Sequence, residues 1–331
     1  MSTIDLIDQP SSRGIVLTML DNMIWPILIV ISLAIAVVVP ATFKNYQSIE
    51  LVLHSSVGLG LLVLAEGVCL ISGHFDLSIG AIAGFSAMFT GLLLSPTRWG
   101  IVASPAVGFL VILTVGTVIG VTNGVMISKL GVNPFLQTLA FLIIFEGLKI
   151  SLSSLPVSGL PQRYLYPGST SYVAIGLLVF AFVAMALIMH FTEFGQAIYA
   201  LGSNKDAARA VGINTDRMII AVYAISGFLS GAAGLMLTGY TSVVSTDLGQ
   251  GLVFPAFAAA VIGGISLFGG RGKISGALGG VILLGIIQSA LNLSGLQIAE
   301  IRAVNGVVLL GAILLYNTRT QLREYILASE V

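Results

Sequence analysis

Two unbroken apolar runs, Trp25 to Val39 and Val173 to Met189, fix the medium in which this 331-residue chain folds. Such runs recur along the sequence, and only 8% of its residues are charged against 56% hydrophobic. A soluble domain carries roughly 25% charged residues, because water must solvate its surface. Hydrocarbon asks for no polar covering, but it leaves every backbone N–H and C=O to be satisfied inside the protein. Spans are therefore helices or strands of a closed barrel. Barrel strands alternate apolar and polar residues, and these runs do not. The expected fold is all-α, a polytopic protein of the lipid bilayer.

A helix needs about 20 apolar residues to cross roughly 30 Å of hydrocarbon. The stretches Ile24–Thr42, Glu50–Ser72, Pro105–Ser128, Pro134–Ser153, Tyr172–His190, Arg217–Tyr240, Ser275–Ser294 and Ile301–Tyr316 meet that rule. Ile79–Leu94 and Leu252–Phe268 are shorter, and read as full, tilted or re-entrant spans. The expectation is eight to ten transmembrane helices, with ten favoured. Residues 1–23 then form an N-terminal segment, 24–316 a single transmembrane domain and 317–331 a tail. The segment before Trp25 holds Asp5, Asp8 and Asp21 against Arg13, which is not the basic start of a cleaved signal peptide. With ten crossings and a cytoplasmic N-terminus, Arg13, Lys129, Lys205, Arg209, Arg217, Arg271, Lys273, Arg319 and Arg323 fall inside, against Lys44, Arg98 and Arg163 outside. That bias predicts both termini in the cytoplasm. Equal numbers of basic and acidic residues give no reason to expect nucleic acid, and the single cysteine, Cys69, forms no internal disulfide.

The interruptions between runs carry the functional signal. The longest, residues 191–216, reads FTEFGQAIYALGSNKDAARAVGINTD. Ser203 followed by Asp206 has the spacing of a capping box, which predicts a short helix from Lys205 to Val211 closed by Gly212. Its small face of Ala207, Ala208 and Ala210, with Lys205 and Arg209 one turn apart, suits docking into a groove of another protein. The plainer reading is a charged loop that only anchors topology. In GHFDLSIG, residues 73–80, Asp76 is placed to cap a helix starting at Leu77 or Ser78. His74, Asp76 and Ser78 could also line a polar break in the membrane.

Charges and amides within spans are the other candidates. Glu66 lies deep in one run without a partner in its own helix, whereas Glu146 and Lys149 are spaced to neutralise one another. Asn123, Gln137, Gln288, Asn292 and Asn305 read first as interhelical hydrogen bonds. Asn292 and Asn305 join Glu66, His74, Asp76 and Ser78 as candidates for a translocation pathway. Gly67, Gly73, Gly80, Ala81 and Gly84 recur 196 residues later as Gly263, Gly269, Gly276, Ala277 and Gly280, around the two short segments. Paired Gly-interrupted segments point to a transport route, although small residues also simply let helices approach. Gly269–Gly276 superficially resembles a phosphate loop, but Leu267 occupies its first glycine and Ile274 follows its lysine. No catalytic set and no metal cluster is legible.

At these motifs the chain resembles the permease subunit of ABC importers of the ribose/xylose/arabinose type. Residues 73–80 match that family's GG-x-DLS-[VI]-G signature, with His74 in place of a glycine. Gly195, Ala200, Gly202, Asn204, Ala207, Ala208, Gly212 and Ile213 follow its cytoplasmic loop in order, and Ala258, Ala259, Gly263, Gly264, Ser266, Gly269, Gly270, Gly272 and Gly276 its C-terminal motif. Leu291–Leu293 resembles a further short segment. The family often has Arg where Glu146 stands and Glu near Phe254. The resemblance implies that Gly195 through Gly212, including Ser203, Lys205, Asp206 and Arg209, couple the chain to a cytoplasmic ABC ATPase. It also implies an extracytoplasmic solute-binding protein and a second permease, as a homo- or heterodimer. The chain would be a non-enzymatic subunit in a prokaryotic cell (inner) membrane, passing a small polar solute such as a monosaccharide. It would bind no cofactor, with ATP and Mg used by the ATPase. The alternative from a different class is a self-sufficient secondary transporter or channel using Glu66 and Asp76.

Overall fold

The computed structural model describes residues 22–101 and 104–328; the early acidic residues and Arg13 lie outside them. Every regular element among the described residues is helical. α1 (Ile24–Val38) leads through a 3-10 turn (Pro40–Phe43) to α2 (Tyr46–Ser55), α3 (Val57–Ile71) and α4 (Ile79–Leu94). α5 (Pro105–Lys129), α6 (Pro134–Leu152), α7 (Gln162–Ser169) and α8 (Ser171–Phe191) follow. α9 (Glu193–Ser203) and α10 (Lys205–Ala210) precede α11 (Thr215–Thr241), α12 (Val253–Ile262), α13 (Ile274–Leu293) and α14 (Ile298–Ala328). α14 thus continues well past Tyr316, where the apolar run ends. One isolated antiparallel bridge joins Val157 to Val244.

Six of these helices are long and apolar enough to cross a membrane: α5, α6, α8, α11, α13 and the 299–319 part of α14. α2 and α3 make a seventh if taken as one span bent by 41°. The bend has a local cause, since the hydroxyls of Ser55 and Ser56 both donate to the carbonyl of Val52, at 3.0 and 2.6 Å. Side-chain hydroxyls competing for helix carbonyls are a known source of bending. α1, α4 and α12 are shorter apolar helices. The stretch Leu252–Phe268 therefore holds less helix than its hydropathy suggests, because Gly263 and Gly264 end it and Gly264 adopts a φ of +91°.

The core sits around α3, which buries every residue but Leu59. A helix apolar all round is stable only when surrounded, and α11, α12 and α13 all pack on α3. The most extensive contact runs between α5 and α11. Gly116 and Gly120 there meet Gly227, Gly231 and Tyr223 backbone to backbone. In lipid, helix association depends on such close packing instead of on expelling water.

A side chain at Gly227 would overlap the carbonyl oxygen of Gly116, which cannot swing aside. Gly227→Leu should therefore lower stability by about 1–3 kcal/mol or more, read as a fall in the thermal unfolding midpoint in detergent. Gly147→Ala is the control, because nothing lies within 4 Å of the added carbon. An unchanged midpoint for Gly227→Leu would refute the close crossing.

Candidate functional site

A buried polar cluster forms where the break between α3 and α4 meets α5 and α11. The break spans seven residues, 72–78, and Gly73 supplies a φ of +79° for it. Asp76 is fully buried and satisfies both carboxylate oxygens. Oδ1 accepts from the Ser78 amide at 3.0 Å and the Ser78 hydroxyl at 2.5 Å, and Oδ2 accepts from the Ser226 hydroxyl of α11 at 2.7 Å. α4 itself starts at Ile79, one residue or two later than anticipated, so Asp76 stabilises the turn ahead of the helix and does not cap its first turn.

Glu66 reaches this cluster from α3. Its Oε2 accepts from the Asp76 amide at 3.3 Å, and its Oε1 is buried without a hydrogen-bond partner. Asn123 of α5 donates to Ser78 Oγ at 3.0 Å, and Gln137 of α6 donates to Asn123 Oδ1 at 3.3 Å. Both amides are therefore the interhelical bonds their positions suggested. Tyr223 of α11 donates to the Phe75 carbonyl at 2.6 Å. Ser226 and Tyr223 were not singled out in the sequence, where a lone hydroxyl in a long apolar run carries no signal.

His74 sits beside the cluster without joining it. Its Nδ1 lies within hydrogen-bond distance of both the hydroxyl and the carbonyl of Ser72, and its ring meets that of Tyr223 edge-on. Asn292 and Asn305 are elsewhere. Asn292 is exposed and accepts from Gln288 of its own helix at 3.4 Å. Asn305 belongs to α14, which packs on α12 and α13.

Directly below the cluster, three breaks meet backbone to backbone. Gly202, near the end of α9, leaves no room for a side chain between the Ile71 carbonyl and the Gly270 amide. Those two groups are themselves hydrogen-bonded at 2.8 Å. A side chain at Gly269 would come within 2.8 Å of the Gly73 α-carbon and 2.6 Å of the Gly202 carbonyl. Tyr199 Oη adds a bond to the Gly272 carbonyl at 2.8 Å. The two glycine clusters 196 residues apart thus supply both halves of one junction, with α9 as the third member.

α9 and α10 are separate helices. Ser203 ends α9, and Asn204, extended at φ −161°, caps α10 by accepting from the Ala207 amide at 2.9 Å. This corrects the capping box expected of Ser203 and Asp206: Ser203 is helical, so only the next residue can turn back onto α10. α10 ends at Ala210, and Gly212 at φ +91° closes it as anticipated, with Gly212 N to Arg209 O at 3.1 Å and Ile213 N to Ala208 O at 3.0 Å. Ala208 is buried, while Lys205, Asp206, Ala207 and Arg209 are exposed. Gly195 packs on the backbone of Ile188 and Met189, and Ala200 lines a cleft with Phe194, Ile213 and Met218. At the same end of the bundle Lys129 pairs with Asp216 at 2.8 Å.

The bundle thus combines a buried polar node with helices fastened to its breaks. Residues 48–316 match the family described as branched-chain amino acid transport system / permease component, and the chain belongs to that family. It is 33% identical to the ribose import permease protein RbsC of Bacillus subtilis over 77% of this chain and 80% of that protein. It is also 33% identical to the autoinducer 2 import system permease protein LsrC of Yersinia enterocolitica, over 83% and 77%. The corresponding protein of Yersinia pseudotuberculosis is 32% identical over 83% and 79%. No solved structure matches. The protein is a multi-pass permease of the inner membrane.

Replacing Asp76 with Ala strands the hydroxyls of Ser78 and Ser226 in the interior, at about 1–3 kcal/mol for each donor left unsatisfied. Asp76→Ala should unfold at a clearly lower temperature in detergent than the wild type. Ser226→Ala, which removes one bond only, should fall between them. A wild-type midpoint for Asp76→Ala would show that the cluster does not hold the break.

Proposed function

We propose that this permease is the transmembrane subunit of an ATP-binding cassette importer, carrying a monosaccharide or similarly small polar solute inward. The observation that carries the reading is its similarity, across most of both chains, to import permeases named for ribose and for autoinducer 2. Those names also favour an importer over a self-sufficient secondary transporter.

In this arrangement the three short apolar helices cross as well as the six long ones and the bent α2–α3 pair, which makes ten passages. An even number returns both termini to one side. The Lys and Arg bias puts that side, with α9 and α10, in the cytoplasm. Residues 1–23 and the tail after 316 then lie there as well. Two copies, or this chain and a related one, enclose the route. A solute-binding protein delivers from outside, and a separate ATPase binds ATP with Mg and hydrolyses it.

Mechanistically, α10 offers the ATPase an exposed face carrying Lys205, Asp206 and Arg209. Force on it passes into α9 and thence to the junction at Gly202. Because Gly73 and Gly269 meet there with no intervening side chain, movement of α9 displaces the α3–α4 and α12–α13 breaks together. Asp76 links the first break to α11 through Ser226, so the displacement reaches the centre of the bundle. Glu66, Asp76 and Ser78 sit where that motion would open or close a polar route.

The charge-reversed pair Lys205→Glu with Arg209→Glu should abolish co-purification with the ATPase and stop uptake while the protein still inserts in the membrane. Undiminished co-purification would sink the docking role. With Cys69 replaced by Ala, a cysteine placed by Asp206→Cys should resist an impermeant thiol reagent in intact cells and react after lysis. Labelling of intact cells would reverse the orientation.

A further inference from the structure

α4 buries every residue except Phe85, Phe89 and Leu93, which are four apart and so share one stripe. Phe85 and Phe89 stack with centroids 6.3 Å apart, and Trp99, just beyond the helix, meets Phe89 edge-on at 6.2 Å. From α6, Phe145 approaches Phe85 to 5.0 Å and Phe141 meets Phe145 at 5.4 Å. Five rings thus form an unbroken row along the α4–α6 seam. The four phenylalanines are half-buried and Trp99 is 45% exposed, so the row is a surface and not core.

The medium facing that surface is indicated by the charges beside it. Glu146, adjacent to Phe145, keeps 18% of its side chain exposed and holds the Lys149 ammonium at 2.7 Å. Lys149 is fully buried and also donates to the Leu248 carbonyl at 3.1 Å. Its Nζ lies against Gly84, the neighbour of Phe85. Charged groups within a membrane face a bundle interior or an aqueous cavity, not acyl chains. A charged carboxylate that keeps part of its surface exposed at the seam therefore argues for water along it.

We infer that this aromatic row, with the Glu146 carboxylate, is the wall of the translocation route against which the solute slides, and that it suits a sugar ring. The C–H face of a pyranose or furanose packs flat on an aromatic ring, and its hydroxyls require an acceptor. Successive rings a few ångströms apart allow the sugar to pass from one to the next without losing contact, while Glu146 accepts its hydroxyl protons. The inference rests on the proposed monosaccharide substrate. It adds the residues that would recognise it.

The test uses the assembled importer in unsealed membranes, in a Cys69→Ala background. Phe89→Cys and Phe145→Cys should react with a hydrophilic thiosulfonate, whereas Phe180→Cys on the exposed apolar face of α8 should not. Reaction only with a lipophilic maleimide would place the row in lipid. That result overturns the inference and leaves the importer reading standing. Uptake of labelled D-ribose, D-xylose and D-galactose gives the second readout. Phe85→Ala and Phe145→Ala should lower uptake of whichever sugar the wild type carries by roughly tenfold, the order expected for one lost stacking contact. Phe145→Trp, which keeps a ring, should retain most of it, and ATPase co-purification should be unchanged throughout. Unaltered sugar uptake in both Ala variants overturns the stacking role even if the cysteines react. A wild-type importer that carries none of these sugars overturns the substrate reading and this inference together.

Discussion

The architecture depends on the absence of side chains at one point, where Gly202 is wedged between the Ile71 carbonyl and the Gly270 amide. Hydrogen bonds elsewhere hold pairs of segments, but this contact joins three. Two are the breaks between α3 and α4 and between α12 and α13, and the third is the end of α9. Close backbone approach makes the joint stiff, because no rotamer can absorb a displacement. A larger residue at Gly202, Gly269 or Gly270 would separate the members before it altered any polar group.

That stiffness gives meaning to the cluster immediately above. Asp76 uses both its oxygens on Ser78 and Ser226, so the break, the start of α4 and the middle of α11 move as one body. α11 in turn lies against α5 along glycine-lined backbone. The polar cluster is in this sense the continuation of the glycine joint by hydrogen bonds. A fully apolar core of the same volume would pack as well, yet it would let the break slide along α11. Directional bonds fix register where dispersion forces do not.

Much of this was legible in the chain. Apolar run length marked five of the six long apolar helices to within two residues at each end, while α14 runs on past Tyr316; hydrocarbon thickness imposes that length whatever the packing. Asn123 and Gln137 stood out because amides are rare in such runs, and both bond across helices. Other features depend on which helices meet. The capping box assigned to Ser203 failed because α9 continues through it, and nothing local distinguishes Ser203 from Asn204 as the cap. Asn292 has the same composition signal as Asn123 but faces outward, a difference set by the placement of α13. Ser226 and the glycine junction were invisible for the same reason: their partners lie from 67 to 196 residues away along the chain. The 196-residue spacing of the glycines was visible, but not that its two copies touch.

The aromatic row shows how far composition falls short of chemistry. Phe85, Phe89, Phe141 and Phe145 look like any other apolar residues of a span, and in a single helix each would serve equally well against lipid. Their centroids become a path only once α4 and α6 lie side by side. Gly80 and Gly84 bring α4 against the backbone at Gly249 and Leu248, in the connection between α11 and α12. Lys149 then fills the space beside Gly84, and Glu146 is drawn to it at the edge of the rings. One constraint thus generates the next: small residues bring α4 onto the α11–α12 connection, a buried cation from α6 reaches the same backbone, and the cation holds a carboxylate beside the row. The proposed solute wall is in this sense a product of the same close packing that makes the breaks rigid.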